Sequence, residues 1–136
     1  MPARTLILSD GRQLFVDSLG APIQRSFDRA LAVLVPAFSE GERRQVESLA
    51  GSLISLGCNE FCCVGPEAEK LHDSLDEILE QRGSFEVVTT WHTDYAEACE
   101  YFFFAAGGGE RALLALIAAH PQIVAVLEDE VNGEET

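Results

Sequence analysis

The chain is poor in positive charge, and the shortage is uneven. It holds 9 Lys and Arg against 23 Asp and Glu, a net charge of −14. Residues 1–45 carry six arginines (Arg4, Arg12, Arg25, Arg29, Arg43, Arg44) and five acids, a net of +1. Residues 46–136 carry three cations (Lys70, Arg82, Arg111) and eighteen acids, a net of −15. Such a field repels phosphate and draws basic surfaces. Nucleic-acid binding needs a basic footprint, which only the N-terminal arginines can supply, so no nucleic acid is expected as a partner.

Other absences narrow the field further. No apolar run approaches the roughly 20 residues of a membrane span. Met1-Pro2-Ala3-Arg4 leads into a short apolar stretch that stops at Ser9-Asp10-Gly11. That is too short for a secretory signal, so a cytoplasmic location is expected. Neither G-x-G-x-x-G nor G-x-x-x-x-G-K-[ST] occurs, and Gly107-Gly108-Gly109 follows a helical stretch instead of joining a strand to a helix. A nucleophile elbow, G-x-S-x-G, is missing too. The four cysteines (Cys58, Cys62, Cys63, Cys99) form no C-x-x-C pair and read as buried thiols of a reducing compartment. No zinc-ligand spacing is present, so neither a metal nor a cofactor is expected.

What is present is a strand–helix rhythm. The 136 residues suit one domain, able to bury roughly two-thirds of its unfolded surface. The 47% hydrophobic content argues against disorder. Two short apolar runs flank Asp10-Gly11, the strongest local hairpin signal. Ala30–Val35 is a continuous apolar run ending at Pro36, as in a strand buried on both faces. Ser39-x-x-Glu42 reads as a capping box, followed by Val46, Leu49, Ala50, Leu53 and Leu56 at helical spacing and a stop at Gly57. Glu60–Val64 then precedes Gly65-Pro66, with Ala68, Leu71, Leu75, Ile78 and Leu79 as the apolar stripe and Gly83 as the stop. Phe85–Trp91 and a helix from Asp94 to Ala106 make the third unit. Ala112–Ile117 reads as a fourth buried strand before a helix from Pro121 to Val131, although one Pro-kinked helix would fit the same residues.

Repeated units of this kind predict a three-layer α/β domain over residues 1–136. Its mostly parallel sheet has about four strands, flavodoxin-like or Rossmann-like, with a β-hairpin (residues 1–18) at one edge. Strand–helix units fill residues 30–131, and residues 132–136 read as a frayed tail. Ligands of such sheets bind beyond the carboxyl ends of strands, where strand order reverses. That rule selects residues 36–40, 65–67 and 90–94.

Trp91-His92-Thr93-Asp94 places an indole, an imidazole and a carboxylate at one predicted strand end, with His72 and Glu67 on the preceding helix. An enzyme or ligand-binding site would use His92 and Asp94, with His72 or Glu67 opposite, for acid–base work. The plain structural reading makes Trp91 a core cap, His92 a local hydrogen-bonder, Asp94 an N-cap and His72 a boundary residue beside a carboxylate. Asp73, Asp76, Glu77 and Glu80 form the wet face of their helix.

Gly65-Pro66, then His72-Asp73-Ser74-Leu75-Asp76, then Thr89-Thr90-Trp91-His92 resembles a family of small bacterial proteins carrying a domain of unknown function. Its members read Gly-Pro, an acidic aromatic stretch ending Asp-Ser-(Val/Leu)-Asp, and Thr-Thr-Trp-His before two acids. Here His72 replaces the aromatic and Thr93 replaces an acid. The resemblance covers residues 30–118 and implies the α/β fold and a shared role for Trp91 and His92. It implies no activity.

The leading expectation is therefore a non-catalytic protein, monomer or homodimer, that binds a basic protein partner as an immunity protein or antitoxin does. Its binding residues would be Glu67, Asp73, Asp76, Glu77, Glu80, Trp91, His92 and Asp94.

Overall fold

Residues Leu31–Pro36 bury every side chain, which requires a layer of structure on each side. A computed structural model describes residues 4–7, 12–20, 30–104 and 112–134, and supplies both layers. Its elements are β1 (Arg4–Ile7), β2 (Gln13–Val16), β3 (Leu31–Pro36), α1 (Glu40–Ser55), β4 (Cys58–Val64), α2 (Ala68–Arg82), β5 (Val88–His92), α3 (Tyr95–Phe104), β6 (Ala112–Ala115) and α4 (Pro121–Glu134).

The six strands run in the order β1-β2-β6-β3-β4-β5. Within the N-terminal hairpin only β1 runs against the rest; β2 pairs in parallel with β6, which lies parallel to β3. Alternation along the strands divides the core in two. Phe15, Val33, Val35, Phe61, Cys63 and Leu114 face the layer built by Val46, Ala50 and Leu53 of α1 and Leu71, Leu75 and Leu79 of α2. Leu14, Val16, Leu34, Cys62, Val64 and Leu113 face Phe102 and Phe103 of α3 and Ile123 and Leu127 of α4. This is the expected three-layer α/β arrangement.

Local signals fix the helix ends. The Ser39 hydroxyl accepts the Glu42 N–H at 3.1 Å, while the Glu42 carboxylate reaches back one residue further than a capping box, to the Phe38 N–H at 2.8 Å. Gly83, in the left-handed region at φ 71°, closes α2, and Ser84 N–H returns to the Leu79 carbonyl. That cap draws Ser84–Val87 into a turn, so β5 begins at Val88 instead of Phe85 and runs one residue further, to His92. Residues 112–134 form a strand and a helix, and the helix continues through 132–134, where a frayed tail was expected. The Asp10-Gly11 turn, the stretch after Pro22 and Gly107–Gly109 lie outside the described residues.

Candidate functional site

Strand order reverses between β3 and β6: β3 leads into α1 on one side of the sheet, and β6 into α4 on the other. The carboxyl-end crevice therefore lies between residues 37–39 and 116–120. Residues 65–67 border it, because Glu67 N–H donates to the Ala37 carbonyl at 2.8 Å. Residues 90–94 lie at the outer edge of the sheet, beyond β4, because the chain returns to the opposite side of β3 only after β5.

Two of the protein's own carboxylates stand at this crevice. Glu42, in the first turn of α1, accepts from Phe38 N–H and places its second oxygen 2.7 Å from Nε2 of His120. The His120 ring stacks on Phe38 with centroids 4.3 Å apart. Glu67, before α2, accepts from Nε of Arg43 at 3.2 Å, and Arg43 also reaches Glu47 at 3.0 Å. Helix N-termini attract anions, but here Glu42 and Glu67 stand beside two of them, and Arg43 already serves two acids. An incoming phosphate would meet negative charge. His120 escaped the sequence reading, although a histidine just before Pro121 at a strand-to-helix junction is a usable signal.

The Trp91 corner is built differently. Parallel register sets Trp91 beside Cys63 and His92 beside Val64, two residues that belong to opposite core layers. Trp91 and His92 therefore point to opposite sides of the sheet. The His92 ring meets that of Tyr101 on α3 at 5.5 Å, and the Tyr101 hydroxyl donates to the buried Glu60 carboxylate at 2.6 Å. His72, on α2 across the sheet, lies 3.1 Å from Asp73 and 3.5 Å from Asp76. Asp76 in turn accepts from the Thr89 hydroxyl. Asp94 starts α3, accepting Ala96 N–H at 2.8 Å. His72, His92 and Asp94 are thus held by three separate sets of partners, with the sheet between the two histidines.

Of the acids expected to bind, Glu67 stands apart at the crevice with Arg43, and Asp94 caps α3. Asp73, Asp76, Glu77 and Glu80 are exposed on α2, and Glu97 and Glu100 on α3. Between Leu71 and Phe104 the chain holds eight acids and one Lys or Arg, Arg82, whose guanidinium lies against Gly51 of α1. Large apolar groups stand among these acids: Phe85 is 78% exposed, Val88 49% and Trp91 38%. Two shallow depressions lie nearby, one between α2 and the turn before β5 and one on α3. One, of about 260 Å³, is lined by Asp76, Leu79, Glu80, Ser84, Phe85 and Val87. The other, of about 300 Å³, is lined by Glu97, Glu100, Tyr101 and Phe104. Each is lined by apolar side chains together with carboxylates.

The cysteines sit apart from this surface. Burial pushes the Cys62 thiol well up, with the Glu60 charge adding to it, and burial raises Cys63 as well. Burial, then the charge of Glu130, pushes Cys99 up to about 12. None of these three is a ready nucleophile.

Among the described residues no helix is long and apolar enough to cross a membrane. A family model described as a domain of unknown function (DUF7684) matches residues 15–126. No curated protein and no solved structure matches the chain.

Proposed function

The chain belongs to this family, and we propose that it is a non-catalytic cytoplasmic binding protein, of the immunity-protein or antitoxin kind, that takes a basic protein partner on its α2–β5–α3 face. The observation that carries this reading is the exposed acids on the two helices packed against β5: Asp73, Asp76, Glu77 and Glu80 on α2 at one side, Glu97 and Glu100 on α3 at the other. With them come exposed apolar side chains at Phe85, Val88 and Trp91, and Arg82 is turned toward α1. Charge of one sign steers encounter with an oppositely charged surface, and the apolar groups supply short-range contact once it is made. The crevice between β3 and β6 supports the same reading, since Glu42 and Glu67 there disfavour the anionic ligands common to this architecture.

The test is a titration with basic proteins encoded beside this one, at low and at physiological ionic strength. We expect a complex that weakens with salt and weakens by about tenfold or more when Asp73→Asn, Glu77→Gln and Glu80→Gln are combined. These three avoid Asp76, whose carboxylate also holds Thr89 and His72. Absence of a complex, or an affinity indifferent to salt and to the neutralised acids, rules the reading out.

A further inference from the structure

Strand β5 ends the described sheet, since β4 is its only neighbour in the strand order. A parallel ladder turns alternate residues of a strand toward each neighbour. The Gly65 N–H donates to the His92 carbonyl at 3.1 Å, which assigns His92, and by alternation Thr90 and Val88, to the β4 side. The N–H and C=O of Thr89 and Trp91 then face away from β4, along an edge that carries no further strand among the described residues.

Proteins ordinarily blunt such an edge with lysine, proline, a bulge or an inward charge. Val88-Thr-Thr-Trp-His92 carries none of these: it is β-branched and aromatic, holds no Asp, Glu, Lys, Arg or Pro, and keeps regular register with β4 throughout. The charges lie beside the edge instead, on α2 at one side and α3 at the other. A strand added to β5 would alternate its side chains between those two sides. One set would meet the depression lined by Leu79, Phe85 and Val87 together with Asp76 and Glu80. The other would meet Tyr101 and Phe104 together with Glu97 and Glu100. Apolar side chains together with carboxylates suit lysine and arginine, which lay an aliphatic stem on apolar surface and keep the charge at the margin.

We propose that β5 is a strand-addition site, and that its occupant is an extended, lysine- or arginine-rich segment of the partner protein. This rests on the binding reading above and adds the mode of capture. A second copy of this chain is the poorer occupant, because it would bring its own acids against these.

The test uses the unaltered protein and two synthetic Lys/Val peptides of about six residues, the length of an ordinary strand. They are identical except that one is methylated at every backbone nitrogen, which keeps the charge and removes the donors on both edges. We expect the unmethylated peptide to bind with salt-dependent affinity and to slow amide exchange at Thr89 and Trp91. The methylated peptide should bind at least about tenfold more weakly, as for one hydrogen bond or more lost at the interface. Equal binding of both peptides without exchange protection overturns strand addition and leaves the acidic-face reading standing. Binding of neither peptide overturns both. Protection of those amides without peptide, in a protein that sediments as a dimer, overturns the choice of occupant.

Discussion

Cys62, Cys63 and Cys99 are sealed in the two core layers, and their raised thiol values make stability depend on alkaline pH. The unfolded chain releases these protons near the ordinary thiol value of about 8.5, while the folded chain retains them to higher pH. Above that value the unfolded state binds fewer protons, so stability falls as pH rises. Each such thiol contributes on the order of 1 kcal/mol of loss per pH unit between roughly pH 9 and 11. Denaturant titrations across that range should show the decline, and Cys63→Ala should flatten it by one thiol's share while lowering stability at neutral pH. A slope unchanged by the substitution would show that Cys63 ionises as readily folded as unfolded. The burial of these residues was legible in the sequence, because Cys62-Cys63 sits inside an apolar run. The pairing of His120 with Glu42 was not, since the two lie 78 residues apart and meet only through the pairing of β3 with β6.

At the scale of elements, the junction between β4 and α2 is the tightest joint near the crevice. Gly65 adopts φ +125°, and a Cβ there would stand 2.6 Å from the Ala37 carbonyl oxygen and 2.9 Å from its carbon. That carbonyl accepts the Glu67 N–H, so the loops after β3 and β4 are locked backbone to backbone. Gly65→Ala meets both the backbone conformation and the contact, and should cost about 2 to 3 kcal/mol in chemical denaturation. A loss below about 0.5 kcal/mol would mean that the loop shifts freely and the joint is soft. The Gly-Pro pair marked this junction in the sequence; the close approach of Ala37 did not, since it depends on which strand lies beside β4. The same holds for the whole sheet. Apolar runs, caps and glycine stops locate α1, α2, β3 and β4 because each signal lies within a few residues of the structure it causes. The start of β5 was misplaced because the cap at Gly83 draws Ser84–Val87 into its turn. Strand order depends on contacts between distant residues, so the insertion of β6 between β2 and β3 left no local mark, and of the three predicted strand ends only 36–40 and 65–67 stand at the crevice it creates. The Trp91-His92 motif was legible as a strand end, but facing partners in opposite layers divide its two side chains.

For the whole molecule, the net charge of −14 sets two responses to salt that run in opposite directions. Among the described ion pairs, Arg44–Glu40 is exposed and contributes little, while Arg43 with Glu47 and Glu67 forms one partly buried network. Repulsion among the remaining acids opposes compaction. Raising ionic strength from about 0.02 M to about 0.5 M shortens the screening length from roughly 20 Å to roughly 4 Å. This should relieve the repulsion and raise Tm by a few degrees, corresponding to roughly 1 kcal/mol for a domain of this size. The affinity for a basic partner should fall over the same range, because the same screening weakens the attraction across the interface. Combining Asp73→Asn, Glu77→Gln and Glu80→Gln should reproduce both changes at low salt, with a higher Tm and weaker binding. If Tm instead falls with added salt, the Arg43 network outweighs the repulsion. If neutralisation lowers Tm, those acids stabilise the fold itself. Only the pairing of a gain in stability with a loss in binding identifies them as charges held against folding and used in recognition.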